Sequence, residues 1–140
     1  MDAQRGQAFL ETLLLSLLLL VPLLWLLTVL AHVHRGALGA TAAAREAGFE
    51  AAHSTDLAEA GRAVDNAVEE ALFDHGLDPR RAKVRWTSTP ELARGGIVEV
   101  EVSYAVPVFA APFLGSVSGP SITLEARHRS RIDPYRSRSG

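Results

Sequence analysis

The hydrophobic pattern of this chain changes period twice, and each change marks a new kind of element. From Gly6 to Ala31, "GQAFLETLLLSLLLLVPLLWLLTVLA", there is no period: apolar residues cover every side and Glu11 is the only charge. Thr12 to Ala31 are free of charge, and as a helix rising ~1.5 Å per residue they span ~30 Å, the thickness of a hydrocarbon core. A helix apolar all round has no single core-facing side, which predicts a membrane span. Trp25 and Thr28 lie toward its far end, and His32, His34 and Arg35 mark the return to water. Pro22, mid-span, has no N–H for the carbonyl of Leu18 and predicts a bend or local opening. Arg5 on one side and Arg35 on the other leave the charge rule for orientation nearly silent.

Beyond the span the period becomes helical. Gly36, Ala40, Ala44, Gly48 and Ala52 recur every four residues, with Gly39, Ala43, Ala47 and Ala51 as a second rail beside them. Small residues so spaced let a neighbouring backbone come close, and the expectation is a helix–helix contact along Gly36, Ala40, Ala44 and Gly48. The alternative is an Ala-rich helix chosen for propensity, against which the glycines count. "HSTDLAEAGR" then breaks the pattern, and Asp56 with Glu59 reads as a capping box. The second helix carries Leu57, Ala60, Val64, Ala67, Val68, Ala71 and Leu72 as its apolar stripe, with Arg62, Asp65, Asn66, Glu69 and Glu70 opposite. Gly76 closes it and Pro79 prevents resumption.

The last change is to a period of two. "AKVRWTS" turns Val84 and Trp86 inward; "IVEVEVSYAV" does the same with Val98, Val100, Val102, Tyr104 and Val106; "SITLEARHRSRI" with Ile122, Leu124, Ala126 and His128. One apolar face per strand predicts an antiparallel sheet half buried on helix. Gly95–Gly96 sits in the first connection. The second, "PVFAAPFLGSVSGPS", is apolar and long, so Phe109, Phe113 and Leu114 are either tucked under the sheet or form a contact patch. "DPYRSRSG" has no periodicity and reads as a disordered basic tail.

The predicted fold is thus a membrane-anchored α+β chain. A long N-terminal transmembrane helix continues into an Ala-rich helix, followed by a second helix and a roughly three-stranded antiparallel sheet packed on helix. The expected segments are 1–6 leader, 7–31 transmembrane helix, 32–76 helical region, 77–132 β region and 133–140 tail.

Composition narrows the function. Of 140 residues nearly a fifth form the apolar run, leaving about 100 to fold in water. The net charge of −2 offers no field for nucleic acid. There is no cysteine, which excludes thiol nucleophiles, thiolate metal sites and disulfides. His32 and His34, two apart, point in different directions on a helix and cannot clasp a metal. His53, His75 and His128 have no consistent partner in sequence, and Glu69–Glu70 is a helix-surface pair. No phosphate-binding Gly loop or nucleophile elbow occurs. The expectation is a chain that is not an enzyme, with no catalytic, cofactor-binding or metal residues and no small-molecule substrate.

"RGQAFLE" at Arg5–Glu11 resembles the prepilin processing signature of type IV pilins and pseudopilins. In that family a membrane peptidase cuts after the Gly, and the Glu at the fifth mature position directs assembly. The resemblance implies cleavage between Gly6 and Gln7 and an assembly role for Glu11, with which Pro22 is grouped. Gln7 stands where the family has an aromatic residue, Phe9 follows two later, and the leader is poorly basic. "GATAAAREAGFEAA" (Gly39–Ala52), "GGIVEVEVSYAVPV" and "ITLEARHRSRIDPYR" are similar to the TadE/TadG-like family, the pilin-like proteins of tight-adherence (Flp) pilus systems, and to its actinobacterial members. What this implies is a pseudopilin with a cytoplasmic N-terminus and an extracytoplasmic C-terminal domain. Its partners would be the membrane, a prepilin peptidase, other pilin-like subunits and the pilus assembly machinery. The alternative is an unprocessed single-pass anchor for an extracytoplasmic binding module. A cleaved secretory signal is a third reading, since "ATAAA" (Ala40–Ala44) imitates a cleavage site, but the apolar run is too long for one.

Overall fold

A computed structural model describes residues 2–90, 92–108 and 119–134, with side chains from Gly6 onward. The element order is helix α1 (Asp2–His53), helix α2 (Leu57–Asp74), a 3₁₀ turn (Pro79–Arg81) and strands β1 (Ala82–Thr89), β2 (Ile97–Pro107) and β3 (Ser121–Arg131). The fold is α+β, as the periods predict. Phe109, Phe113, Leu114 and the tail from Tyr135 lie outside the described residues.

The chain divides into two units, Met1–His32 and Val33–Gly140. In the first, α1 is long and apolar enough to cross a membrane, and none of its most apolar window is buried. α1 runs unbroken through Pro22, so no opening interrupts it. A proline removes one rung of the ladder, and the turns on either side keep theirs. Thr12 and Thr28 donate their hydroxyls to the carbonyls of Ala8 and Leu24, each at 2.9 Å, which hides their polarity against the helix itself.

The second unit is a layer of helix on a layer of sheet. β2 is central, paired antiparallel with β1 (Val84 opposite Val102, Trp86 opposite Val100) and with β3 (Val100 opposite His128, Tyr104 opposite Leu124). Every inward side chain of β2 from Val98 to Val106 is buried, whereas those of β1 and β3 are half covered because they form the sheet edges. Ile122, expected inward, is exposed at the start of β3. The outward face is charged: Arg127 lies opposite Glu101 and Arg129 opposite Glu99, with Nε–Oε2 distances of 2.7 and 2.9 Å. Arg131 continues that row along the edge strand.

The helical layer covers the other face. The small-residue ridge is buried there, but its neighbour is the sheet, which corrects the helix–helix expectation. A Cβ at Gly36 would meet Val106 Cγ2 at 2.8 Å and Leu124 Cδ1 at 3.0 Å; one at Gly48 would meet His128 Cδ2 at 3.0 Å. Ala40 and Ala44 lie between them on the same side, both 1% exposed. A spacing of four reports that something comes close to the backbone, not what. Here β2 supplies bulk with Val106 and Tyr104 and β3 with Leu124 and His128, and α1 supplies the hollow. The second rail, Ala43, Ala47 and Ala51, is wholly buried, and Gly39 faces Leu77 and His75.

α2 presents the predicted stripe, with Ala60, Val64, Ala67, Val68, Ala71 and Leu72 buried, though Leu57 in its first turn is exposed. Its start is capped by Asp56, whose Oδ1 accepts from the Glu59 N–H at 2.8 Å. Glu59 reaches back to the Thr55 N–H, at 2.7 Å, and to the Thr55 hydroxyl. The helix ends in a Schellman turn: the Leu77 N–H bonds the Leu72 carbonyl at 2.9 Å and the Gly76 N–H bonds that of Phe73 at 2.8 Å. Gly76 has φ +66°, a value glycine adopts without steric cost. Leu77 then packs on the core, and the Tyr104 hydroxyl accepts from the Asp78 N–H at 3.2 Å, fastening the turn to β2.

Candidate assembly interface

Two regions expose what an assembling subunit would use. The first is the apolar part of α1. Gln7 and Glu11 stand one turn apart on the same face, among Leu10, Leu14, Leu15 and Leu18. Both are exposed, and a Cβ at Gly6 would meet nothing within 4 Å. The arrangement leaves open space where a side chain at Gly6 would project. It also sets one carboxylate a single helical turn from the position a new chain terminus at Gln7 would take. Pro22 lies on the same helix, three turns further on, and is exposed.

The second region is a groove of about 770 Å³ in the helix-on-sheet unit, between α1, α2 and the end of β3. Phe49 forms its apolar part, 57% exposed and 4.2 Å from the His53 ring. Glu46, Glu50 and Glu70 give it an acidic rim that Arg45 only partly offsets. Sequence reading did not find it, because its walls come from three elements. One signal was available: a phenylalanine set among the charged positions of an Ala-rich helix. Gly36, Ala40, Ala44 and Gly48 are occupied with their own sheet and are not part of either exposed region.

Among the described residues no three His, Asp or Glu side chains come together as a metal site would require. His53 and His75 each set Nδ1 2.8 Å from the carbonyl four residues back, on Phe49 and Ala71. His128 lies under Gly48.

No protein-family model, no curated protein and no solved structure matches the chain.

Proposed function

We propose that the chain is a pilin-like assembly subunit, similar to TadE/TadG-like pseudopilins of tight-adherence pili or related secretion machines. The apolar helix stores the protein in the membrane, a prepilin peptidase removes Met1–Gly6, and the freed helix packs among those of neighbouring subunits. The observation that carries this reading is the lone carboxylate of the apolar run, Glu11, one turn from Gln7 on an uncovered helix. A charge near hydrocarbon is costly unless paired, and cleavage after Gly6 would supply the partner as a new ammonium group. That ammonium can meet Glu11 of its own helix or of a neighbour, and in the second case it fixes the axial register.

The burial of Gly36, Gly39 and Ala40 in the helix-on-sheet unit argues against secretory cleavage near Ala42, which would strip them from its core.

The test separates processing from incorporation. Native protein should begin at Gln7, and Gly6→Leu should leave the leader attached. Glu11→Gln should be cleaved and inserted, yet fail to co-purify with the assembled subunits. A native mass that includes Met1 means an unprocessed anchor, and a Glu11→Gln variant that assembles like wild type removes the charge pair.

A further inference from the structure

The helix-on-sheet unit carries opposite charges on its two outer faces. In the helical layer, from Gly36 to Asp74, eight carboxylates stand against Arg45 and Arg62, leaving six negative charges with histidine neutral, and all ten groups are exposed. The sheet reverses the sign. Every charged residue of β1, β2 and β3 lies on the outward face: five bases (Lys83, Arg85, Arg127, Arg129, Arg131) against Glu99, Glu101 and Glu125. Two of the three carboxylates are already engaged by Arg129 and Arg127. The apolar core separates the two faces, so within one molecule neither can neutralise the other.

Both faces also expose apolar groups. Phe49 and Phe73 are 57% and 75% exposed on the helical side, and Ile97 is 43% exposed on the sheet side. Charge complementarity therefore singles out one occupant for each face, the opposite face of a second copy. Contact between two helical faces or two sheet faces would set like charges together, which costs more than it gains.

We infer that these units stack head to tail, the acidic α2 face of one copy on the basic sheet face of the next. Such a contact is heterologous: each copy keeps one free face of each sign, so growth continues in one direction. This deepens the assembly reading and rests on it for the presence of many copies, but it places a second contact outside the apolar helix.

The chain lacks cysteine, so disulfide trapping reads the contact directly in the full-length protein in detergent micelles. Asn66→Cys on α2 and Thr87→Cys on β1, carried by separate molecules and mixed, should form the mixed disulfide. Each variant alone should give little homodimer. The mixed product should fall when ionic strength rises from roughly 0.01 to 1 M, where the screening length shrinks from about 30 to 3 Å. Asp65→Lys/Glu69→Lys/Glu70→Lys should weaken trapping about ten-fold or more, as should Lys83→Glu/Arg131→Glu. Mixing the two charge-reversed proteins should restore it, since their faces are complementary again, and that recovery also shows that both remain folded. Homodisulfides in place of the mixed product, or trapping unmoved by salt and charge reversal, would overturn the stacking. If trapping is absent while wild type still co-purifies in a Glu11-dependent way, stacking fails and the assembly reading stands. If self-association is absent altogether, both fail.

Discussion

Glycine in a helix usually weakens it, and the four glycines of α1 and α2 within the helix-on-sheet unit show that the sign depends on what lies opposite. At Gly36 a methyl group would press on Val106, a stiff β-branched side chain held in the central strand. At Gly61 of α2 the nearest atom to a new Cβ is Trp86 Cζ2 at 3.8 Å, an ordinary contact. Gly36→Ala should therefore destabilise the full-length protein by about 1–3 kcal/mol through overpacking, while Gly61→Ala should stabilise it by about 0.5–1 kcal/mol through helix propensity. Denaturation in detergent, with both variants side by side, checks the pair of signs. The sequence showed that glycines recur at small-residue spacing, but not that a sheet presses on one and leaves the other with room. That distinction depends on strands some twenty-five to ninety residues further along the chain.

Helix ends and strand faces were legible because their causes are local. Asp56, Glu59 and Gly76 act within one turn of themselves, and the capping and Schellman bonds fall where the residue types required. Asp56→Ala should cost about 1 kcal/mol. Asp56→Asn, which keeps an acceptor, should recover most of it, and thermal melts of the two variants will tell. Alternation likewise assigned the inner and outer faces of all three strands. What it could not supply was the order β1–β2–β3, which decides that β2 is buried and that Ile122 is not. The reach of Glu59 to Thr55 was illegible too, since it depends on how the chain enters the helix.

At the scale of the whole molecule, the α+β class and the apolar span follow from element order, whereas the acidic groove and the charge division between faces appear only once elements meet. Among the described residues the helix-on-sheet unit closes on a core of modest side chains, of which Leu72, Val64, Val98, Val100 and Val102 are the largest fully buried. Leu72→Ala should cost about 2–5 kcal/mol. Followed by Trp86 fluorescence in a Trp25→Phe background, its denaturation midpoint should fall. The helical circular dichroism of the detergent-embedded segment should persist, because hydrocarbon surroundings hold that backbone to its own hydrogen bonds.

The arginine row on β3 has a consequence of a different kind. Among the described residues β1 and β3 each have one edge that no other strand pairs, the usual starting point for misassembly into amyloid-like ribbons. If β3 met β3 of another copy in parallel and in register, Arg127, Arg129 and Arg131 would lie beside their own counterparts; in a register that set them against the bases of β1, they would lie beside Lys83 and Arg85. Facing side chains in paired strands stand only about 4.5–5.5 Å apart, where like charges repel. Wherever copies meet edge to edge, the row acts as insulation, keeping them from zipping into an irreversible sheet.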